Sequence, residues 1–230
     1  MMMQKKLPEV LSRPLVVVEG SNHPHFNEFY MKYSKRWLDL ALSALILVIA
    51  APIMVFVAIL AVLDGGPALF GHERIGQCGQ RFKCLKFRTM RTDSATILAH
   101  LLASDPKAAA EWARDHKLAH DPRITRIGRF LRRTSLDELP QLINVIRGEM
   151  SLVGPRPVTE EELGKYSGHR QKYLALRPGL TGIWQVHGRG TVSYEERVDM
   201  DVHYYRTASF FGDMVLLFQT AAVVVERRGQ

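Results

Sequence analysis

The sequence predicts an α+β fold, mainly helical. An N-terminal re-entrant membrane helix-break-helix comes first, followed by a cytoplasmic globular domain with short strands and interfacial amphipathic helices. Three observations predict it. Leu40 to Leu63 is a run of 24 residues without a charge. Pro52 stands near its middle, and Lys and Arg flank the run on both sides. Beyond Gly65-Gly66-Pro67 the pattern changes to short alternating segments and then to helical periodicity.

Residues 1–31 read as a loosely ordered N-terminal tail punctuated by Pro8, Pro14 and Pro24, with Leu15 to Val18 able to form one short strand. Residues 32–64 are the basic approach and the apolar hairpin. A straight helix over the apolar run would be roughly 36 Å long at about 1.5 Å per residue, enough for a hydrocarbon core of about 30 Å. Pro52 has no N–H for the Val48 carbonyl, and its ring crowds that turn, so a kink or break is expected there. Each arm is then about a dozen residues, or roughly 18 Å, which enters a bilayer halfway and returns. Charge favours the return. Lys32, Lys35 and Arg36 precede the run, and Arg74, Arg81, Lys83, Lys86, Arg88 and Arg91 follow it. Lys and Arg mark cytoplasmic flanks, so both ends belong on that side. A single span and a buried soluble helix are the alternatives. A cleaved signal peptide is not expected, because some 35 residues precede the apolar run.

Residues 65–230 form the globular domain. Ala68-Leu-Phe70 and the alternating Arg81 to Arg88 read as strands, joined through the turn Gly76-Gln-Cys-Gly79. Helix is expected from about Ser94 to Lys117 and again from Leu136 to Ile146. Residues 159–230 hold more helix, interrupted at Arg177 to Gln185. The last apolar stretch, from Phe210 to Val225, carries Asp213 and Gln219 and ends at Glu226-Arg-Arg228. It is too short and too punctuated to span. It suits an interfacial helix or an ordinary core helix, and the pattern does not choose.

The chemistry concentrates at Asp137-Glu138. Arg123, Arg126, Arg129, Arg132 and Arg133 precede this pair, and Pro155-Arg156-Pro157 follows. A helix begun near Ser135 would carry both acids in its first turn, where backbone N–H groups are free and the dipole favours negative charge. Carboxylates among arginines suit work on a phosphate. One acid can hold a divalent cation, the other can attack, and guanidinium groups can neutralise phosphate oxygens. The plain alternative is a helix start whose acids balance nearby arginines.

Composition narrows the partners without choosing one. Lys and Arg number 31 against 23 Asp and Glu, for a net charge of +8 and an isoelectric point near 9.7. That balance fits nucleic acid, anionic lipid or phosphorylated substrates. No nucleic-acid-binding motif is present, and the apolar run also argues against a nucleic-acid partner. The two cysteines, Cys78 and Cys84, have no second Cys/His pair at metal spacing. A reduced setting is the simple reading, with Cys84 a small buried hydrophobe.

An ordered set of motifs then carries a resemblance. It runs through Lys35-Arg36, Leu38-Asp39, the Pro52 hairpin, Phe82-Lys-Cys-Leu-Lys-Phe-Arg-Thr-Met90 and Asp121-Pro-Arg-Ile-Thr125. It continues through Leu131-Arg-Arg-Thr-Ser-Leu-Asp-Glu-Leu-Pro-Gln141, Asn144 to Pro157, Arg177-Pro-Gly-Leu-Thr-Gly182 and Gly188-Arg189. Over about residues 32–228 the chain resembles the bacterial sugar transferases, the small monotopic phosphoglycosyl transferases. It is most like those that start exopolysaccharide synthesis with galactose or glucose. Two positions depart from the pattern. Ala51 stands before Pro52 where many members have Ser, and Gly190 follows Arg189 where many have Asn.

The resemblance implies transfer of a sugar 1-phosphate from a UDP-sugar to undecaprenyl phosphate, with release of UMP, at the cytoplasmic face of a bacterial inner membrane. It implies that Asp137 is the nucleophile, forming an aspartyl-phosphosugar, and that Glu138 is the ligand of Mg²⁺. Arg132 aligns with an active-site arginine, and Arg156 with a nucleotide-side loop. Lys83, Arg88, Arg189 and Asp201 are implied as further substrate-binding residues. The implied partners are the UDP-sugar, undecaprenyl phosphate and inner-membrane phospholipid, with no nucleic acid. The oligomeric state is left open, a homodimer included.

Overall fold

The computed structural model describes residues 29–63, 65–115, 118–188 and 192–226. The expected N-terminal tail up to residue 28, with its strand at Leu15 to Val18, lies outside the described residues. One π-helical turn, Tyr30–Ser34, leads into α1, Lys35–Leu63. The helical path continues through Pro52 without interruption. The expected break is therefore no gap in the helix. A proline removes one hydrogen bond, and its neighbours here keep helical geometry.

Burial along α1 comes in two short stripes. Lys35, Asp39 and Ser43 are buried at one end, and Val57 and Ala61 at the other. Residues four apart share a helix face, so each stripe is one face turned to the protein. No residue between Ser43 and Val57 is buried, and Leu45, Val48, Ile49, Val55 and Phe56 are exposed. Both arms thus touch the globular part, as far as Leu47 on one side and Met54 on the other, while the residues between them, around Pro52, are largely exposed. Among the described residues, this is the one helix long and apolar enough to cross a membrane, by length and composition.

The expected hairpin is present. β1, Leu69–Ile75, pairs antiparallel with β2, Arg81–Phe87, placing Leu69 opposite Phe87 and Ile75 opposite Arg81. The connecting turn contains Cys78 and Gly79, both at positive φ. Phe82 and Cys84 face the main core with Leu142, Val145, Met150 and Leu152. Burial pushes the Cys84 thiol up to about 11, as befits a small hydrophobe.

Beyond β2 three details differ from the sequence reading. The helix expected from Ser94 to Lys117 is two, α2 at Ser94–Ser104 and α3 at Pro106–Asp115. Pro106 disfavours helical geometry for Asp105, which is extended, and the Asp105 carboxylate accepts from the N–H groups of Lys107 and Ala108. The sequence reading has no counterpart for α4, Arg126–Thr134. Its apolar stripe is only Ile127 and Leu131 among four arginines, and it forms because Thr125 caps it, accepting from Gly128 N at 2.9 Å. The helix expected from Leu136 to Ile146 is a 3₁₀ turn, Leu136–Glu138, followed after Pro140 by α5, Gln141–Arg147.

The C-terminal half adds β3, Ser151–Val153, parallel to β4, Gly179–Thr181. Around them lie α6, Glu160–Gly164, α7, Arg170–Leu174, and a π turn, Trp184–Gly188. Then come α8, Tyr194–Thr207, and α9, Phe210–Glu226. Along α9 Asp213 and Leu216 are buried, while Phe211 and Phe218 are 66% and 70% exposed. The helix is thus a core helix on one face and presents aromatic rings to the outside on another.

Buried polar groups fasten these parts together. Asn144 is fully buried. Its amide donates to Lys83 O and its carbonyl accepts from Leu85 N, each at 2.9 Å, so α5 is stitched to β2. Arg36 donates to Val145 O and Ile146 O near the C-terminal end of α5. Asp39 accepts from Leu152 N at 3.0 Å. Asp213, only 1% exposed, accepts from Lys35 at 2.5 Å, Tyr30 at 2.6 Å and Tyr204 at 2.9 Å.

Removing one member of a buried ion pair leaves the other charged and unsolvated, which costs about 3–5 kcal/mol. Asp213→Ala would strand the Lys35 ammonium and two tyrosine hydroxyls. It is expected to lower the melting temperature of the detergent-solubilised protein markedly, whereas Tyr30→Phe should cost only about 1 kcal/mol. A melting temperature unchanged in Asp213→Ala would show that the pair does not hold α1 and α9 together.

Candidate active site

The acid pair sits where the chain reverses after α4. Ser135 caps that helix at φ 57°, a left-handed position in which its N–H reaches back to the carbonyls of Arg132 and Leu131. The next three residues form the 3₁₀ turn. It sends Asp137 inward, at 8% exposure, and leaves the Glu138 side chain 35% exposed. The expectation that both acids occupy a first helical turn holds for this short turn rather than for a long helix.

Charges converge on the pair from two elements. Lys86, on β2, donates to Glu138 Oε1 at 2.6 Å. Burial lifts the Asp137 pKa above the ordinary aspartate value; Lys86 and Arg132 oppose that rise, and Glu138 adds to it. Arg132 is held from behind, its Nε donating to Thr89 Oγ1 at 2.9 Å. Thr89 also takes Thr125 N on its carbonyl. A Cβ on Gly128 would lie 2.1 Å from that carbonyl oxygen, so only glycine lets α4 approach.

The other residues named from the sequence are distributed unevenly. Lys83 pairs in register with Glu73 and lies on the opposite face of β2 from Lys86, since alternate strand residues share a face. Arg88 donates to Ala61 O and Gly65 O and so clasps the end of α1. Neither is brought to the acid pair. Arg156 lies with its guanidinium 5.1 Å from the Trp184 ring centre. Burial and the neighbouring Arg197 depress its pKa, and Glu138 and Glu162 partly restore it. Asp201 is buried farther back, accepting from Tyr166 Oη at 2.7 Å. Arg189 lies outside the described residues. A cleft of about 400 Å³ opens at the base of α1, between Lys32, Asp39, Gln77 and Arg177, and contains none of these side chains.

Sequence reasoning named Lys86 only as flanking charge and missed Thr89, Trp184 and Arg197. The alternation of β2 could have found Lys86, two residues from the inward Cys84. Trp184 and Arg197 have no local signal, because they join Arg156 only through tertiary packing.

The family model described as bacterial sugar transferase matches residues 30–227. The chain belongs to the bacterial sugar transferase family. An undecaprenyl-phosphate galactose phosphotransferase of Salmonella typhimurium is 50% identical over 198 residues, covering 86% of this chain and 42% of that protein. A UDP-galactose-lipid carrier transferase of Erwinia amylovora is 47% identical, covering 96% of this chain and 46% of that protein. This bacterial sugar transferase chain therefore spans under half the length of these two relatives. The exopolysaccharide production protein ExoY of Sinorhizobium fredii is 48% identical and matched over 87% of its own length.

For Asp201, burial raises the pKa to about 6, against 3.8 for a free aspartate, while Tyr166, Arg197 and Arg156 pull it down. The folded protein therefore holds this proton more tightly than the unfolded chain does. Stability contributed by the site is greatest below about 4 and is lost as pH rises towards about 6. Asp201→Asn should abolish that dependence. The wild-type melting temperature, measured relative to the variant, is expected to fall between those pH values and stay level above them. A constant difference across that range would refute the assignment.

Proposed function

We propose that the protein transfers a sugar 1-phosphate, galactose or glucose, from a UDP-sugar to undecaprenyl phosphate, releasing UMP, as the first membrane step of exopolysaccharide synthesis. The observation that carries this reading is the adjacent pair of one buried and one half-exposed carboxylate, Asp137 and Glu138, with Lys86 bonded to Glu138 and the charges of Arg132 and Arg156 acting on the pair. The matched relatives, one named for undecaprenyl-phosphate galactose phosphotransfer and one for UDP-galactose-lipid carrier transfer, support it.

Asp137 attacks the phosphorus that carries the sugar. The bond from that phosphorus to the oxygen bridging the two phosphates breaks, and UMP leaves with that oxygen. The aspartyl-phosphosugar then meets the lipid. A lipid phosphate oxygen attacks the same phosphorus, the bond to Asp137 breaks, and the sugar remains on a lipid diphosphate. Burial suits Asp137 to this task, because a carboxylate stripped of water is a stronger nucleophile. Arg132, steadied by Thr89, offsets the charge of the phosphate that Asp137 approaches. Arg156 lies on the leaving side and holds the nucleotide. Lys83, Arg88, Arg189 and Asp201 complete the assignment carried by family resemblance, with Arg88 acting through the end of α1.

The residues present fit Mg²⁺. No cluster of three or more acidic, His or Cys ligands occurs among the described residues. A hard cation on a diphosphate needs only one or two carboxylates, with substrate oxygens and water completing its shell. Glu138, now against the Lys86 ammonium, would supply one such oxygen. When bound, Mg²⁺ supplies charge neutralisation at the diphosphate.

α1 supports attachment to the inner membrane at its cytoplasmic face. Two arms against the globular part and an exposed apolar stretch around Pro52 support a re-entrant hairpin. The exposed Phe211 and Phe218 of α9 support contact with the same surface. Single cysteines placed near residue 20 and near residue 75 should both resist a membrane-impermeant thiol reagent in intact cells, in a background lacking Cys78. Labelling near residue 20 alone would mean a full span.

Asp137→Asn keeps shape and removes the nucleophile, so turnover should fall by roughly a thousandfold or more while the fold persists. Wild-type protein given UDP-sugar without lipid should release UMP in one stoichiometric burst and gain the mass of a phosphosugar on the Asp137 peptide. The raised pKa of Asp137 would also suit a base in direct transfer. Full turnover with lipid, but no burst and no adduct without it, would establish that alternative instead.

A further inference from the structure

Arg197 lies in the first turns of α8 and is buried, at 7% exposure. Its guanidinium is 4.9 Å from the ring centre of Trp184 and 5.1 Å from that of Tyr194. Its Nη1 is 3.9 Å from Glu162, a loose ion pair. Its Nε and Nη2 are buried and have no hydrogen-bond partner among the described residues. Asp201, one turn along the same helix, instead accepts from Tyr166. An arginine stays charged in proteins, so it cannot escape this cost by losing a proton.

The two unpaired atoms form one edge of the guanidinium. Elsewhere in this chain the same edge grips a two-oxygen anion. Arg91 holds both oxygens of Asp93 through Nε and Nη2, each at 3.0 Å. Arg123 holds Asp121 the same way, at 2.8 and 2.7 Å. Arg197 presents that fork with no protein anion on it. A second guanidinium, that of Arg156, rests on the same indole, and the carboxylate that acts on both, Glu162, reaches Arg197 only at Nη1 and at 3.9 Å. Two like charges on one ring repel, and an anion on the Nε–Nη2 edge of Arg197 would relieve that repulsion.

We infer that the Nε–Nη2 edge of Arg197 is a binding edge for a phosphate oxyanion of the sugar-nucleotide donor, working beside Arg156. This rests on the donor being a UDP-sugar. The fork geometry makes the site selective for a tetrahedral or planar anion over a lone neutral carbonyl. Trp184 and Tyr194 fix the fork by stacking on it, so little rotamer entropy is lost when the anion arrives.

The test is calorimetric titration of the detergent-solubilised full chain with UMP, uridine, pyrophosphate and a short-chain prenyl phosphate. Arg197→Lys keeps the charge and loses the fork, and Arg197→Gln keeps part of the fork and loses the charge. Both variants should weaken UMP by roughly tenfold to a hundredfold and leave uridine unchanged. In the wild type, hydrogen exchange of the segment 194–201 should slow with UMP and not with uridine, a readout that stands even where a variant fails to fold. Equal weakening of UMP and uridine would assign Arg197 to the base and overturn the inference. Loss confined to prenyl phosphate would assign it to the lipid, and no change with any probe would leave a stacking arginine; either result also overturns it. Should the wild type bind pyrophosphate through Arg197 but no uridine nucleotide, the oxyanion edge would stand and the UDP-sugar reading would fall.

Discussion

The buried contact between Lys35 and Asp213 is the constraint on which the rest of the molecule depends. Two ions taken out of water repay their desolvation only when the remaining lone pairs are also met, and Tyr30 and Tyr204 meet them here. The four groups come from the turn before α1, the first residue of α1, α8 and α9. They fix the angle at which the long apolar helix leaves the domain. Arg36 and Asp39 repeat the attachment one residue and one turn farther on. The position of the exposed apolar stretch relative to the acid pair is thereby set by polar chemistry, not by the greasy surface itself.

At the acid pair the fold separates two carboxylates that are adjacent in sequence. The left-handed Ser135 and the 3₁₀ turn aim one inward and one outward. Their environments diverge accordingly. Asp137 is desolvated and more basic than an ordinary aspartate, while Glu138 stays within reach of solvent and is held by Lys86. Groups of one kind given different burial take different roles, a general route to paired acid chemistry.

Much of this was legible in the sequence where a local rule governs. The Gly65-Gly66-Pro67 stop and the alternating Arg81 to Phe87 became the expected elements, and the apolar run became helix, though without the expected break at Pro52, because periodicity and backbone restriction act locally. The acid pair was legible for the same reason, standing in a dense run of charge. Elements decided by tertiary packing were not. α4 turns only Ile127 and Leu131 inward among four arginines and depends on Gly128 fitting under Thr89. β3 and β4 are three residues each and exist only as each other's partner. Lys83 and Lys86 look alike on the page, and only the facing of the strand separates them. Arg156, Trp184 and Arg197 come from three distant segments, so no spacing rule could have grouped them.

Four consecutive residues at the end of β2 carry a consequence of their own. Lys86 holds Glu138, Phe87 packs with Val57 and Leu131, Arg88 clasps the Ala61 carbonyl in the last turn of α1, and Thr89 steadies Arg132. This strap ties the acid pair to the far arm of the apolar helix with almost no slack. Lipid bilayers differ in thickness, and an embedded helix answers by tilting. With α1 seated in a bilayer as proposed, a tilt would load Arg88 first and reach Lys86 and Thr89 through one peptide unit or two. The lipid would then act on turnover as a mechanical variable, apart from its part as acceptor.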